Sequence, residues 1–446
     1  MAHLLCPGRH TVTSLITTFG KQFQDWTADY SLYSHDRIKP EVLFRQVRKE
    51  VEALSPPSPP LCVAIDDTIL RKTGKTIPGT AYRKDPLGPA FNINLVWAQR
   101  VLQLSAALVC ENNEVRMVPI AFEDASTPRK PRKSAPSKEI EAYREVMKQR
   151  NLNTVAVAAL DQLQKDRAGE CNGVASALHA LVDGSFTNKK VLRHLPENTV
   201  VIGRIRKDAR LNEKPGEQAA RGRKLIYGGN LPTPEQIRKD DDIPWTTVRA
   251  RAAGNWHEFE VKTLAPVRWR AAGEKDLRLV VIRPVGYRLR KGGKFLYRQP
   301  AYLICTDVNL SLEDILQEYI WRWDIEVNHR DEKTILGVGQ AQVRNENSVT
   351  SIPATAVSAY AMLHLAAIKA YGKNGKPGVI PEALWRDSHK KQRASTQDLI
   401  NELRRELWAM AIRPEILTDF MTRAHQPTKS VKCEPDLCSS LFAMTA

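Results

Sequence analysis

Two short apolar runs that end on aspartate constrain this chain more than any other feature. Residues 61–65 (LCVAI) lead into Asp66-Asp67, and residues 178–182 (LHALV) lead into Asp183. An unbroken apolar run of that length, bounded by polar residues, suits a strand buried on both faces. Each aspartate therefore stands where a buried strand meets polar sequence. Residues 91–109 and 115–122 are rich in Val, Ile and Leu and predict two more strands, and residues 199–205 a further one. Between them residues 140–165 and about 188–195 have helical composition, and residues 312–335 predict one long helix with Ser311 or Asp307 as N-cap. Strands and helices mixed in this way place the chain in the α/β class.

A chain of 446 residues exceeds one compact core, so it carries either a large insertion or more than one domain. The order of elements divides it. Residues 1–54 have helical spacing, with DNA contact as their expected role, and the SPPSPP run at 55–60 is a linker, because consecutive prolines remove backbone donors. Residues 61–206 hold the first part of the core. Residues 207–305 alternate in short segments among Gly, Pro and charged residues and read as a β-rich insertion. Residues 306–372 return to the core, and 373–446 form a helical C-terminal region for DNA binding or dimerisation, where Lys390, Lys391 and Arg393 cluster.

Lys and Arg total 67 against 50 Asp and Glu, a formal +17. A surplus of this size favours a polyanionic partner, since binding phosphates releases counterions. The seven cysteines are scattered without a CxxC pair, which argues against a zinc ribbon and fits a reducing cytoplasm. Cys433 and Cys438 near His425 are read as free thiols. The first residues lack the apolar run of a signal peptide, and the most apolar stretch, 354–370, is interrupted by Ser358, His364 and Lys369 and reads as a buried helix. The sequence thus predicts a cytoplasmic protein without a membrane partner. Thr73-Gly74-Lys75-Thr76 ends like a phosphate-binding loop, but Ile69 occupies the place of its first glycine, so the backbone cannot wrap phosphates.

The segment from Tyr319 to Lys333 carries the chemistry. At about 100° per residue, Tyr319, Arg322, Glu326, Arg330 and Lys333 fall on one helix face, with Leu316, Trp323 and Val327 beside it as anchors to the core. One carboxylate flanked by cations and a phenol suits a phosphodiester enzyme; a solvated face with ordinary i, i+4 ion pairs such as Glu326–Arg330 would look similar. Asp183-Gly184 alone is an ordinary turn. Asp66 and Asp67, as neighbours on a strand, face opposite ways, so one of the two is a ligand.

Tyr319, Arg322, Glu326 and Lys333 reproduce the spacing Tyr-x2-Arg-x3-Glu-x6-Lys, which resembles the signature of a large branch of DDE transposases of bacterial insertion sequences. Asp66-Asp67-Thr68 matches that family's Asp-x-Thr context, favouring Asp66, and Leu181-Val182-Asp183-Gly184-Ser185 resembles its second acidic segment. The resemblance implies an RNase H-like core, a mixed sheet flanked by helices, with the β-rich insertion placed before the last catalytic helix. It implies Asp66, Asp183 and Glu326 as catalytic metal ligands and Tyr319, Arg322, Arg330 and Lys333 as DNA contacts. Three carboxylates at one sheet edge suit Mg²⁺, with Mn²⁺ as substitute, and two ions about 3.5–4 Å apart would activate the attacking oxygen and stabilise the leaving one. It further implies cut-and-paste transposition on double-stranded DNA, both element ends and target, by a homodimer. A hairpin intermediate would flip a base onto an aromatic residue, with Trp245, Trp256 and Tyr297 open as choices. The rival readings are a domesticated descendant that binds DNA without cutting it, and a structure-selective nuclease on the same fold.

Overall fold

A computed structural model describes residues 1–55, 60–85, 88, 91–128, 130–170, 177–216, 222–290, 292–373, 380 and 393–409. Residues 56–59 of the proline run, Lys390, Lys391, Cys171, His425, Cys433 and Cys438 lie outside these, as does most of the C-terminal region. The chain opens with helices α1 (Ala2–Leu5), α2 (Val12–Thr18), α3 (Thr27–Ser34) and α4 (Pro40–Leu54). Strands β1 (Leu61–Arg71), β2 (Ala81–Lys84), β3 (Leu95–Val109) and β4 (Val115–Asp124) follow, then α5 (Ser137–Gln149), α6 (Leu152–Glu170), β5 (Leu178–Val182), α7 (Lys189–Leu192) and β6 (Thr199–Arg204). The inserted region comprises β7 (Leu211–Glu213), α8 (Pro234–Lys239), β8 (Thr246–Ala252), β9 (Asn255–Trp269), β10 (Leu277–Ile282), β11 (Gly286–Arg288), β12 (Phe295–Tyr297) and β13 (Ala301–Cys305). Helices α9 (Leu312–Trp321), α10 (Asp324–Thr334), α11 (Glu346–Tyr371) and α12 (Thr396–Ala409) complete the described chain.

Eleven of the described strands form one mixed sheet. Its order is β2-β3-β1-β5-β6-β13-β10-β9-β7, with β4 beside β3 and β8 beside β9. The segment β4-β3-β1-β5-β6 is the expected RNase H-like core: β1 runs antiparallel to β3 and parallel to β5, and β5 runs parallel to β6. Alternation along β1 divides its residues between two layers. Val63 and Ile65 face a core that takes in Phe44, Val47 and Val51 of α4, Leu160 and Leu163 of α6, and Val357 and Tyr360 of α11. Cys62 and Ala64 face the other layer, with Ile315 and Leu316 of α9 and Ile325 of α10. The apolar window of α11 is 72% buried, so this helix is part of the core, as the sequence reading expects.

Three expectations are corrected and one open point is filled in. First, β1 does not stop at Asp66; it continues through both aspartates to Arg71, because 67–71 pair with β3 residues 98–102. Second, the helical stretch 140–165 is two helices, α5 and α6, separated around Asn151, whose carbonyl and side chain take up amides of the new helix start. Third, the attachment of the inserted strands, which the sequence reading leaves open, is through the core sheet: β13 pairs with β6 and so extends it. Buried Lys262 ties this region together, donating to the carbonyls of Ile237 (3.3 Å), Arg238 (3.3 Å) and Asp240 (2.5 Å) at the end of α8, the place where a cation offsets orphan carbonyls.

Fourth, the helix 312–335 is broken. Arg322 and Trp323 keep right-handed helical dihedrals, but Trp323 N–H bonds Ile320 O and Glu326 N–H bonds Trp323 O, both i−3 partners. A tighter turn of this kind shifts the phase of everything beyond it. One result is that Trp323, expected as a core anchor, is 63% exposed.

Candidate active site

The parallel register of β1 and β5 sets Ile65 beside Val182, so the next residue on each strand is Asp66 and Asp183. Asp66 shares the side of the sheet that α9 and α10 cover. Asp67 faces away and forms an ion pair with Arg100, Nε to Oδ2 2.6 Å. Asp183 sits in an Asx turn: its Oδ1 accepts from Ser185 N–H at 2.9 Å and Ser185 Oγ at 2.6 Å, the local bonding that Asp before a turn favours. Gly203 on β6 permits this corner. A Cβ there would meet Val182 and the Thr187 hydroxyl at 2.6 Å each, and that hydroxyl donates to Asp183 O at 2.8 Å.

The helices bring the rest. Arg322 is mostly buried and donates to Glu326 Oε1 at 2.9 Å; the Glu326 side chain is 36% exposed. The guanidinium lies over the Tyr319 ring, 5.7 Å from its centroid, and its charge also acts on Asp66. Arg322 is thus bonded to the acid of α10 and lies within electrostatic reach of the acid of β1. Tyr319 lies within electrostatic reach of Asp183 and Arg204, and burial raises its phenol pKa above the ordinary value. Lys333 donates to the Thr68 hydroxyl; burial lowers its pKa, while Glu332, Asp66 and Asp67 oppose that shift.

Arg330 is the sequence-assigned residue that the structure does not bring in. Its side chain is 66% exposed and pairs with neighbouring Asp331 at 2.9 Å, although it stands one turn beyond Glu326 on the same helix. Arg393, expected in a C-terminal DNA-binding cluster, instead donates to Asp324 at 2.8 Å.

Burial pushes the Asp66 carboxyl up to about 6; nearby Asp183 and Asp67 push the same way, and His329 and Arg322 oppose them. Asp66 and Asp183, crowded where the β1–β5 pairing ends, are hard oxygen donors of the kind a divalent cation takes; among the described residues they do not form, with Glu326, a cluster of donor atoms within 4.8 Å. The trio among the described residues that does hold its donor atoms within 4.8 Å of one another is Cys62, His179 and Glu318. There His179 Nδ1 already lies 2.8 Å from Glu318 Oε2, so that trio is satisfied from within.

Sequence reasoning missed several neighbours of the acids: Thr68, Gln103, Arg204, His329 and Glu332. Gln103 is the cross-strand partner of Asp66, and Arg204 follows the residue paired with Val182. His329 was accessible from spacing alone, since it stands one turn beyond Glu326.

Two basic clefts include residues close to the acids, Lys333 in one and Gly184 in the other. One, of about 740 Å³, is lined by Arg9, Arg71, Thr73, Trp97 and Lys333. The other, of about 590 Å³, is lined by Gly184, Arg204, Arg206, Lys207 and Trp269.

The family model described as DDE superfamily endonuclease matches residues 1–275, a stretch that includes Asp66 and Asp183 and ends before Glu326. Comparison with curated proteins finds no match.

Proposed function

We propose, from the premise that this chain belongs to the DDE superfamily endonucleases, that it is a transposase of a bacterial insertion sequence. On this reading it cuts double-stranded DNA at the element's ends and joins them to target DNA. The family implies a DNA substrate and divalent metal; the transposase activity, Mg²⁺ as the metal, a cytoplasmic location and a homodimer on DNA are our reading. The observation that carries it is the parallel register that sets Asp66 and Asp183 side by side where the β1–β5 pairing ends, with Glu326 bonded to Arg322, whose charge also acts on Asp66.

The donor set fits Mg²⁺, a hard ion that takes a few carboxylates. When bound, such an ion supplies Lewis-acid activation of the attacking oxygen and neutralises charge on the leaving one. Asp66 and Asp183, fixed by strand register and the Asx turn, and Glu326 on α10 would hold it. Arg322 keeps one buried N–H, at Nε, without a protein partner among the described residues, so it can hold a phosphate oxygen while remaining bonded to Glu326. Tyr319 and Lys333 would bind phosphates on either side of the cut, and the clefts would carry the duplex in and out.

Supercoiled plasmid bearing the gene and its flanking DNA, incubated with the protein and Mg²⁺ or Mn²⁺, should be cut to leave free 3′-hydroxyls. Ca²⁺ should support binding with little cleavage. Robust cleavage in EDTA would overturn the metal mechanism.

A further inference from the structure

We propose that His329 is a further catalytic residue of this site, its Nε2 accepting a hydrogen bond from the attacking oxygen, with Glu332 as the residue that positions its ring. The oxygen is that of water in the cutting step and of the 3′-hydroxyl in the joining step. This rests on the reading of Asp66, Asp183 and Glu326 given above.

His329 stands three residues after Glu326 on α10, hence on a neighbouring part of the same face. It is 7% exposed. Both of its ring nitrogens are buried and have no hydrogen-bond partner among the described residues. The nearest charged group is Glu332 Oε2, 3.5 Å from Nδ1, too long for a strong hydrogen bond yet close enough to orient the ring. Glu332 is itself fixed: it is 1% exposed and accepts from Gln103 Nε2 at 2.9 Å. Gln103 in turn is the cross-strand partner of Asp66, so the chain Gln103–Glu332–His329 starts and ends beside that acid.

Leaving a buried polar atom unmatched costs about 1–3 kcal/mol. Among the described residues two other histidines carry buried ring nitrogens without a partner, His3 at both and His10 at Nδ1, but they lie among cations: His3 beside His10 and the amino terminus, His10 beside Arg404. His329 alone of the three lies within electrostatic reach of a proposed catalytic acid, Asp66. A carboxylate at Nδ1 selects the tautomer with its proton there and leaves Nε2 as the acceptor. An acceptor at that place directs the O–H of the attacking group, so that its lone pair points at phosphorus. His329 takes no proton in this account; the bonds made and broken are those of the phosphoryl transfer.

The test uses the full chain and the same plasmid, with single-turnover cleavage, DNA affinity and thermal melting measured together. His329→Ala should slow cleavage about 10- to 100-fold while affinity and melting stay near wild type, and added imidazole should restore part of the rate. His329→Gln, whose amide reaches the place of Nε2, should keep more activity than His329→Asn, whose amide reaches only that of Nδ1. Glu332→Gln should slow cleavage less than His329→Ala. Wild-type rates in His329→Ala would overturn the proposal and leave the acids untouched. So would a loss that tracks melting, is equal in Gln and Asn variants and ignores imidazole, since that is a packing role. Absence of cleavage by the wild-type protein in both metals would overturn this proposal and the proposed function together.

Discussion

Asp66 and Asp67 are chemically identical neighbours whose surroundings give them different work. Asp67 is held by Arg100, whereas Asp66 faces the helices that carry Glu326 and Arg322. Asp66→Asn should therefore abolish cleavage with the fold intact, and Asp67→Asn should keep cleavage but lose about 1 kcal/mol of stability from the part-exposed pair. Cleavage rates and melts of the two variants decide it; reversed effects would make Asp67 the ligand. The raised Asp66 carboxyl yields a second expectation. Its folded pKa of about 6 exceeds the ordinary aspartate value of 3.8, so ionisation costs the folded state more than the unfolded chain. Its contribution is destabilising above pH 6 and disappears below 3.8. A bound divalent cation reverses that cost, so Ca²⁺ or Mg²⁺ should raise the melting temperature at neutral pH and lose this effect as pH falls through 6. An increment that does not change with pH would contradict it. The choice between the two aspartates was half legible in the sequence: strand alternation says that they face apart, and only the pairing of β1 with both β3 and β5 says which way each faces.

At the scale of elements, the corner after β5 depends on a residue that the sequence does not advertise. Gly203→Ala would drive a methyl into Val182 and Thr187. It should destabilise by about 1–3 kcal/mol and slow cleavage by displacing Asp183, with both effects visible in one melt and one rate measurement. A variant as stable and as fast as wild type would show that the corner yields freely. The run LHALVDGS predicted the strand and its aspartate, because apolar content and a turn signal are local. The need for Gly203 was not predictable, because Thr187 and β6 meet only after folding. The same distinction explains the α9–α10 break. Periodicity assumes a constant rotation of about 100° per residue, and two residues in a tighter turn leave composition unchanged while moving Trp323 to solvent. Glu326, Arg330 and Lys333 all lie beyond the break and keep their phase relative to one another; what shifts is their phase relative to Tyr319.

At the scale of the whole molecule, a net charge of +17 predicts a polyanion but not its path. The two basic clefts supply one. Lys333→Ala and Lys207→Ala remove a cation from each of the two clefts. Each should weaken DNA binding and flatten the dependence of log affinity on log salt by about one unit for every phosphate no longer neutralised. Binding measured across a salt series checks this; unchanged slopes in both would place the duplex elsewhere. The inserted region was legible as β-rich, since alternation is local, but its attachment was not. Pairing of β13 with β6 joins residues roughly a hundred positions apart, and nothing local encodes it. That attachment has a mechanical consequence. A load applied to the β8–β9 hairpin passes through β10, β13 and β6 to β5 and β1 by strand-to-strand hydrogen bonds, as along a beam, with no hinge in series. Whatever duplex the insertion grips is thereby braced against the strands that carry Asp66 and Asp183, and recoil of a bent DNA would be taken up by the sheet before it reached the cutting atoms.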